Sequence, residues 1–193
     1  MKILPPGNSS SETAQSAGVK FSPSGIARFS CTENIKIIGI DPGVTATGFA
    51  IIQGQKGICT GTIRPKKADY YHKIDEICSA LDEIVRQHRP GLAALERAFH
   101  HKNVASLVRI SELRGAIIHT LIQTGTKIAE FMPTHVKLTA TGNGRASKPQ
   151  VRYFIERIFR LDVKPLSHHA IDALAIAYTA GRRILPRLER ASD

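Results

Sequence analysis

The residues IKIIGIDPG, at positions 35–43, set the pattern of the chain. A run of β-branched and aliphatic side chains predicts a buried strand over 35–40, and Asp41-Pro42-Gly43 is typical of a tight turn. Two more strands are predicted at 47–53 and 57–63, joined by glycine-bearing turns. The sequence therefore predicts an antiparallel meander whose first strand ends at Asp41.

Helical and strand-like segments alternate after this meander. Apolar residues recur at spacings of three and four from Ile74 to Val85, which predicts an amphipathic helix that ends before Pro90. Further strands are expected at 92–96 and 127–132, the latter stopped by Pro133, and further helices at 104–124, 150–159 and 169–183. This order predicts an α/β fold with a five-stranded mixed sheet flanked by helices.

Composition limits the domain number and the class of partner. Of 193 residues, 27 are Lys or Arg and 16 are Asp or Glu, giving a net charge of +11, and 42% are hydrophobic. We expect one folded domain over 35–183, between a disordered or non-native leader at 1–34 and a basic tail at 184–193. The positive charge favours a polyanion such as nucleic acid, although acidic lipid fits the charge as well.

Membrane and disulfide-rich classes are disfavoured. No apolar run approaches the ~20 residues that span a bilayer. The cysteines, Cys31, Cys59 and Cys78, are far apart and form no C-x-x-C pair, so a reducing cytoplasm fits best.

Four acidic or imidazole side chains stand where predicted elements begin or end. Asp41 closes the first strand, Glu96 closes the fourth, and His169 and Asp172 lie one turn apart at the start of the last helix. If the first and fourth strands are neighbours, Asp41 and Glu96 converge. Carboxylate clusters bind ions such as Mg²⁺, and two such ions can hold the attacking and leaving oxygens of a phosphodiester.

Each of these residues also has a simpler interpretation. Asp41 suits any tight turn, Asp172 suits any helix N-terminus, and Glu96 could be an ordinary exposed carboxylate. A zinc site is a further alternative, although its candidate ligands lack a standard spacing: His100, His101, His168 and His169.

Three motifs, in order, resemble those of the RuvC family of Holliday-junction resolvases. They are IGIDPG at 38–43 with Thr47-Gly48, ERAF at 96–99 with Lys102-Asn103 and Arg114-Gly115, and HAIDALA at 169–175. The resemblance runs from about Ile35 to Arg183 and implies a ribonuclease H-like fold, with a RuvC-like nuclease domain over 35–183. It also implies a structure-specific endonuclease that hydrolyses phosphodiesters symmetrically and leaves 5′-phosphate and 3′-hydroxyl ends.

The resemblance implies that Asp41, Glu96, His169 and Asp172 are both the catalytic residues and the ligands of two Mg²⁺ ions, for which Mn²⁺ can substitute. His169 departs from the Asp that many relatives carry, so it is expected either to assist proton transfer or to bind Mn²⁺. His168, one turn from Asp172, is the rival candidate.

The resemblance further implies a set of DNA contacts and partners. Phe99 is expected to stack on bases opened at the junction, whereas the other implied contacts are basic: Lys102, Arg114, Lys137, Arg145 and Lys148. A homodimer is expected, with the helix at 104–124 as its contact because its apolar positions exceed one narrow stripe. Cooperation with a RuvA–RuvB branch-migration complex in the bacterial cytoplasm is implied as well.

Two alternatives stay open. One is another ribonuclease H-like nuclease, with an RNA or RNA/DNA substrate, and the other is a junction-binding scaffold without catalysis. The carboxylates at Asp41, Glu96 and Asp172 disfavour the scaffold, and metal-dependent cutting discriminates between them.

Overall fold

The computed structural model describes residues 35–54, 56–97, 104–160 and 166–185. The predicted leader at 1–34, the predicted DNA contacts Phe99 and Lys102, and residues 186–193 of the predicted tail lie outside these ranges. The first two residues of that tail, Ile184 and Leu185, pack against the core. In the ranges that are described, no helix is both long and apolar enough to cross a membrane.

A five-stranded mixed sheet forms the centre of the fold, as predicted, in the order β3-β2-β1-β4-β5. The strands are β1 Lys36–Asp41, β2 Thr47–Gln53, β3 Lys56–Ile63, β4 Leu92–Glu96 and β5 Lys127–Phe131. The first three strands form the predicted antiparallel meander, whereas β4 pairs in parallel with both β1 and β5. The carboxyl ends of β1 and β4 therefore lie side by side.

Helices cover both faces of the sheet. They are α1 Tyr70–His88, α2 Val104–Gln123, α3 Pro133–Thr141, α4 Lys148–Ile158 and α5 His168–Arg183. Because successive strand residues point to opposite faces, Ile38 and Ile40 pack in one apolar cluster with α1 and α2, whereas Ile37 packs in the other with α3, α4 and α5. Burial of both faces explains why β1 is an almost continuous apolar run.

The helix α3 is absent from the sequence-based assignment, in which Pro133 only stops the fifth strand. The fifth strand does end before Pro133, as predicted, but Pro133 also begins α3, which the sequence analysis missed. Proline suits the first turn of a helix, where its missing N–H would have no helical acceptor. Gly142 ends the helix with a φ of 79°, a left-handed conformation that favours glycine.

Two glycines allow α5 to lie directly against the sheet. A Cβ at Gly39 would overlap the backbone of Ala173 and Ala177, and a Cβ at Gly48 would overlap the carbonyl group of His169. Ala173 and Ala177 are themselves small and fully buried. Because backbone meets backbone here, the position of α5 on the sheet is tightly defined.

We expect Gly39→Ala to lower the free energy of unfolding by about 1–3 kcal/mol, because the added methyl group would push α5 off the sheet. Equilibrium unfolding in urea, followed by circular dichroism, measures the loss. Gly57→Ala is the matched control, since a Cβ there meets nothing within 4 Å. Equal stability of Gly39→Ala and the wild-type chain would contradict this close packing.

Candidate active site

Three carboxylates from distant parts of the chain line one cleft of about 190 Å³. Asp41 ends β1 and Glu96 ends β4, and the parallel pairing of these strands brings both to one end of the sheet. Asp172 reaches the same cleft from α5, and the side chains of Lys137 and Lys148 border it. The expected convergence of Asp41 and Glu96 is therefore observed.

Two basic side chains contact two of these carboxylates. His169 Nδ1 lies 2.7 Å from Oδ2 of Asp41, and Lys148 Nζ donates to Oδ2 of Asp172 at 3.1 Å. The hydrogen bond to Asp41 raises the pKa of His169, and the charge of Asp172 raises the pKa of Lys148. The rival candidate, His168, is exposed, and it is His169 that contacts Asp41.

Glu96 forms no ion pair with any residue that the structure describes. Burial raises the pKa of Glu96, and the charges of Asp41 and Asp172 raise it further, to about 7. Lys148 and Lys137 act in the opposite direction but do not cancel this effect. A partly buried carboxyl with such a pKa, beside two other carboxylates, is typical of a functional site.

The family model described as crossover junction endodeoxyribonuclease RuvC matches residues 37–180. This match includes all three carboxylates of the cleft and the two groups that hold them. The chain belongs to the RuvC family. The resemblance predicted from the three sequence motifs is thereby confirmed.

Relatives and solved structures agree with this assignment. The Chlorobaculum parvum RuvC is 36% identical over 147 residues, covering 74% of this chain and 79% of the relative. The Campylobacter jejuni RuvC is 35% identical over 161 residues, covering 80% of this chain and 99% of the relative. Thermus thermophilus RuvC, solved in complex with a Holliday junction substrate, has a TM-score of 0.70 at 24% identity, covering 76% of this chain and 92% of that one. This likeness confirms the predicted ribonuclease H-like fold.

RuvC nucleases are metal-dependent, and the donor chemistry of this cleft suits a divalent cation. Carboxylate oxygens are the ligands that Mg²⁺ and Mn²⁺ prefer, and the charges of Asp41 and Asp172 add to burial in raising the pKa of Glu96. Within the described ranges, no three His, Cys, Asp or Glu side chains surround a single point closely enough to hold a metal ion. Instead, Lys148 pairs with Asp172, and His169 contacts Asp41. Two of the candidate zinc ligands, His100 and His101, lie outside the described residues.

Arg114 lines the cleft, but its guanidinium is paired with Glu130 of β5. Its side chain is only 19% exposed, and Arg97 Nε lies 3.4 Å from the same carboxylate. Burial lowers the pKa of Arg114, and the charge of Arg97 lowers it further. Arg114, a predicted DNA contact, therefore also links α2 to Glu130 of β5. Glu130 belongs to none of the three sequence motifs.

The other predicted basic contacts differ in their positions. Arg145 is exposed in the loop between α3 and α4, where its backbone N–H donates to the Asn143 side chain at 2.9 Å. A capping box of Ser147 and Gln150 starts α4 at Lys148, two residues before the predicted start. The early start places Lys148 in the first turn, from which its ammonium group reaches Asp172.

We expect Asp41→Asn to lower the pKa of Glu96 in the metal-free protein, because one neighbouring negative charge is removed. A ¹³C NMR titration of the Glu96 carboxyl group measures this pKa.

Folding raises the pKa of Glu96. The contribution of Glu96 to the free energy of unfolding is therefore present below its pKa in the unfolded chain, and it is lost as the pH rises through about 7. Glu96→Gln should therefore gain stability over the wild-type chain above neutral pH.

The exposed Asp75 of α1 provides the control, since Asp75→Asn removes the same charge outside the cleft. It should leave the Glu96 titration unchanged. The same Glu96 pKa in Asp41→Asn and the wild-type chain would show that the two carboxylates do not interact.

Proposed function

We propose that this RuvC-family chain is a structure-specific endonuclease that resolves Holliday junctions in homologous recombination and DNA repair. The meeting of Asp41, Glu96 and Asp172 in a cleft bordered by lysines carries the proposal. The net charge of +11 supports a polyanionic substrate. Four-way DNA as that substrate is supported by the names of the relatives, crossover junction endodeoxyribonucleases, and by the junction bound to Thermus thermophilus RuvC.

The proposed reaction is hydrolysis of a phosphodiester. A water oxygen forms a bond to phosphorus and the bond from phosphorus to the 3′ oxygen breaks, leaving a 5′-phosphate and a 3′-hydroxyl. We assign Asp41, Glu96, His169 and Asp172 as the catalytic residues and as ligands of two Mg²⁺ ions, for which Mn²⁺ can substitute. Divalent ions in such a site stabilise the charge on the attacking and leaving oxygens.

His169 and Lys148 have roles that follow from their contacts. The imidazole orients the Asp41 carboxylate through the 2.7 Å contact, and this hydrogen bond raises the pKa of His169, which suits the ring to proton transfer. The Lys148 side chain is 78% exposed, so its ammonium group can leave Asp172 and pair with an entering phosphate.

The remaining DNA contacts are assigned around the cleft. Lys137 borders the cleft directly, and Arg145 is exposed in the loop that precedes Lys148. Both fit contacts to the sugar–phosphate backbone, which position a duplex without selecting its sequence. The full proposed set is that of the family resemblance: Phe99, Lys102, Arg114, Lys137, Arg145 and Lys148.

A homodimer would present two catalytic clefts to a junction of near-two-fold symmetry. Helix α2 supports this arrangement, because Val104, Val108 and Ile122 are 76%, 50% and 60% exposed. Their helical spacing places them on one face, opposite the buried Leu113 and Ile117. We therefore propose α2 as an isologous dimer contact.

From the family resemblance we also propose cooperation with RuvA–RuvB in the bacterial cytoplasm.

Cleavage of a synthetic four-way junction and of a matched linear duplex, in Mg²⁺, Mn²⁺ or EDTA, tests the proposed function. We expect paired, ligatable nicks in the junction alone, abolished by EDTA. A junction that stays intact in every metal despite stable binding would favour a non-catalytic scaffold. Preferential cutting of RNA or RNA/DNA would favour another ribonuclease H-like nuclease.

We expect Asp41→Asn to reduce junction cutting by a factor on the order of 10²–10³, since it removes one carboxylate from the site. Junction affinity should change little, because the lysines that border the cleft remain. A gel-shift assay and a cleavage assay on one preparation measure both properties, with Asp75→Asn as the control. Loss of binding together with cutting would make Asp41 a structural turn residue.

We expect Val108→Glu to convert the dimer into a monomer, because it places a charge within the apolar face of α2. Sedimentation velocity measures the molecular mass in solution. Leu138→Glu is the matched control, since Leu138 is 45% exposed but lies on α3. A Val108→Glu variant that remains dimeric would place the dimer contact elsewhere.

A further inference from the structure

A second groove, of about 790 Å³, opens from the catalytic cleft. The two are continuous, because Asp41, Ile110 and Lys148 line both. One wall of this adjoining groove is the turn at 43–45, and the other consists of the first turns of α1 and α2. The groove is therefore a path by which an extended ligand in the catalytic cleft can continue along the protein.

The Arg109 side chain of α2 lines the adjoining groove and lies over the ring of Tyr70. Its guanidinium carbon lies 5.4 Å from the centre of the Tyr70 ring, within cation–π distance. The Tyr70 hydroxyl can donate to the Arg109 carbonyl oxygen at 2.8 Å or to Glu112 Oε2 at 2.7 Å. Because Tyr70 is tied to α2 in this way, it restricts the guanidinium, and less conformational entropy is lost when Arg109 binds an anion.

The charges of this groove favour an anion. Arg109 and Lys73 both line it, and neither is in an ion pair with any described residue. Asp69 also lines it, but its carboxylate accepts hydrogen bonds from the backbone of Tyr71 and His72 and contacts the His72 ring at 2.9 Å. The Asp69 charge is thus engaged in capping α1, whereas the two cations are available.

We propose that Arg109 and Lys73 bind a phosphate that neighbours the scissile phosphate on the cleaved strand, with Tyr70 as the positioning residue beneath Arg109. This subsite rests on the proposed function, because it requires a nucleic-acid strand in the catalytic cleft. Arg109 borders only the adjoining groove, whereas Lys137 borders only the cleft. The two residues belong to helices on opposite faces of the sheet, so they meet phosphates on opposite flanks of the carboxylates.

The proposed contact supplies affinity and register rather than sequence preference. A guanidinium can donate two parallel hydrogen bonds to one phosphate, and every nucleotide presents that group. Lys73 adds a positive charge on a flexible side chain, next to the planar guanidinium of Arg109. Removal of Arg109 should therefore weaken binding to junctions of every sequence.

Binding of the full chain to a four-way junction in EDTA, which prevents cutting, tests the proposal. One phosphate at a time is replaced by an uncharged methylphosphonate on either side of the scissile position. We expect the wild-type chain to lose about tenfold in affinity at one flanking position. Arg109→Ala should bind about tenfold more weakly, lose its sensitivity at that position alone, and show a salt-dependence slope smaller by about one.

Arg157→Ala is the matched control. Arg157 lies 5.4 Å above the Tyr153 ring on α4, so the variant loses the same charge and the same kind of ring contact, but Arg157 lines neither groove. It should keep the affinity, salt slope and methylphosphonate sensitivity of the wild-type chain. Tyr70→Phe keeps the ring and Arg109, so it should weaken binding by less than Arg109→Ala while the salt slope stays unchanged.

Retained sensitivity of Arg109→Ala at every flanking phosphate, or behaviour equal to that of Arg157→Ala, would overturn the subsite alone. If thermal unfolding shows that Arg109→Ala is poorly folded, Arg109→Gln repeats the comparison with most of the side chain kept. Failure of the proposed function has a different signature. The wild-type chain would then bind junction and duplex equally, with no position-dependent effect of methylphosphonate, which overturns both proposals.

Discussion

Direct backbone contact between α5 and the sheet fixes the geometry of the cleft in which the three carboxylates meet. At Gly39 and Gly48 the helix leaves no room for a Cβ atom. Helix α5 carries His169 and Asp172, whereas β1 carries Asp41, so the separation of these two elements sets the distances among these three side chains. Contact between rigid backbones permits fewer positions than contact between flexible side chains, and the 2.7 Å approach of His169 to Asp41 depends on that restriction.

The cleft concentrates negative charge in a chain whose net charge is +11. Lys148 pairs with Asp172 and His169 contacts Asp41, while the pKa of Glu96 is raised to about 7. These two contacts thus stabilise the metal-free protein, because mutual repulsion of the carboxylates would otherwise oppose their convergence. In the proposed function the exposed Lys148 has a second role, since a group that compensates a carboxylate in the free protein would compensate a phosphate of bound DNA.

Local patterns in the sequence predicted the strands and the carboxylates at their ends, because a buried strand and the turn after it are encoded within a few residues. Helix α3 escaped prediction, since it buries only Val136 and Ala140 and Pro133 fits a strand end as well as a helix start. The pairing of Arg114 with Glu130 could not be predicted, because it depends on how α2 and β5 meet in space. The choice between His168 and His169 depends on the rotation of α5 about its axis, which packing against Gly48 sets.

The two helical layers contribute different chemistry to one end of the sheet. The layer of α3, α4 and α5 supplies Asp172 and the cleft lysines, the layer of α1 and α2 supplies Arg109, and the strands between them supply Asp41 and Glu96. Since β1 and β4 are interior strands, helices flank their carboxyl ends on both faces. In the proposed complex, a phosphodiester at the carboxylates would lie between the layers, and its strand would meet cations from both. The position of the two strands within the sheet therefore favours an extended polyanion over a compact phosphate ester as the ligand.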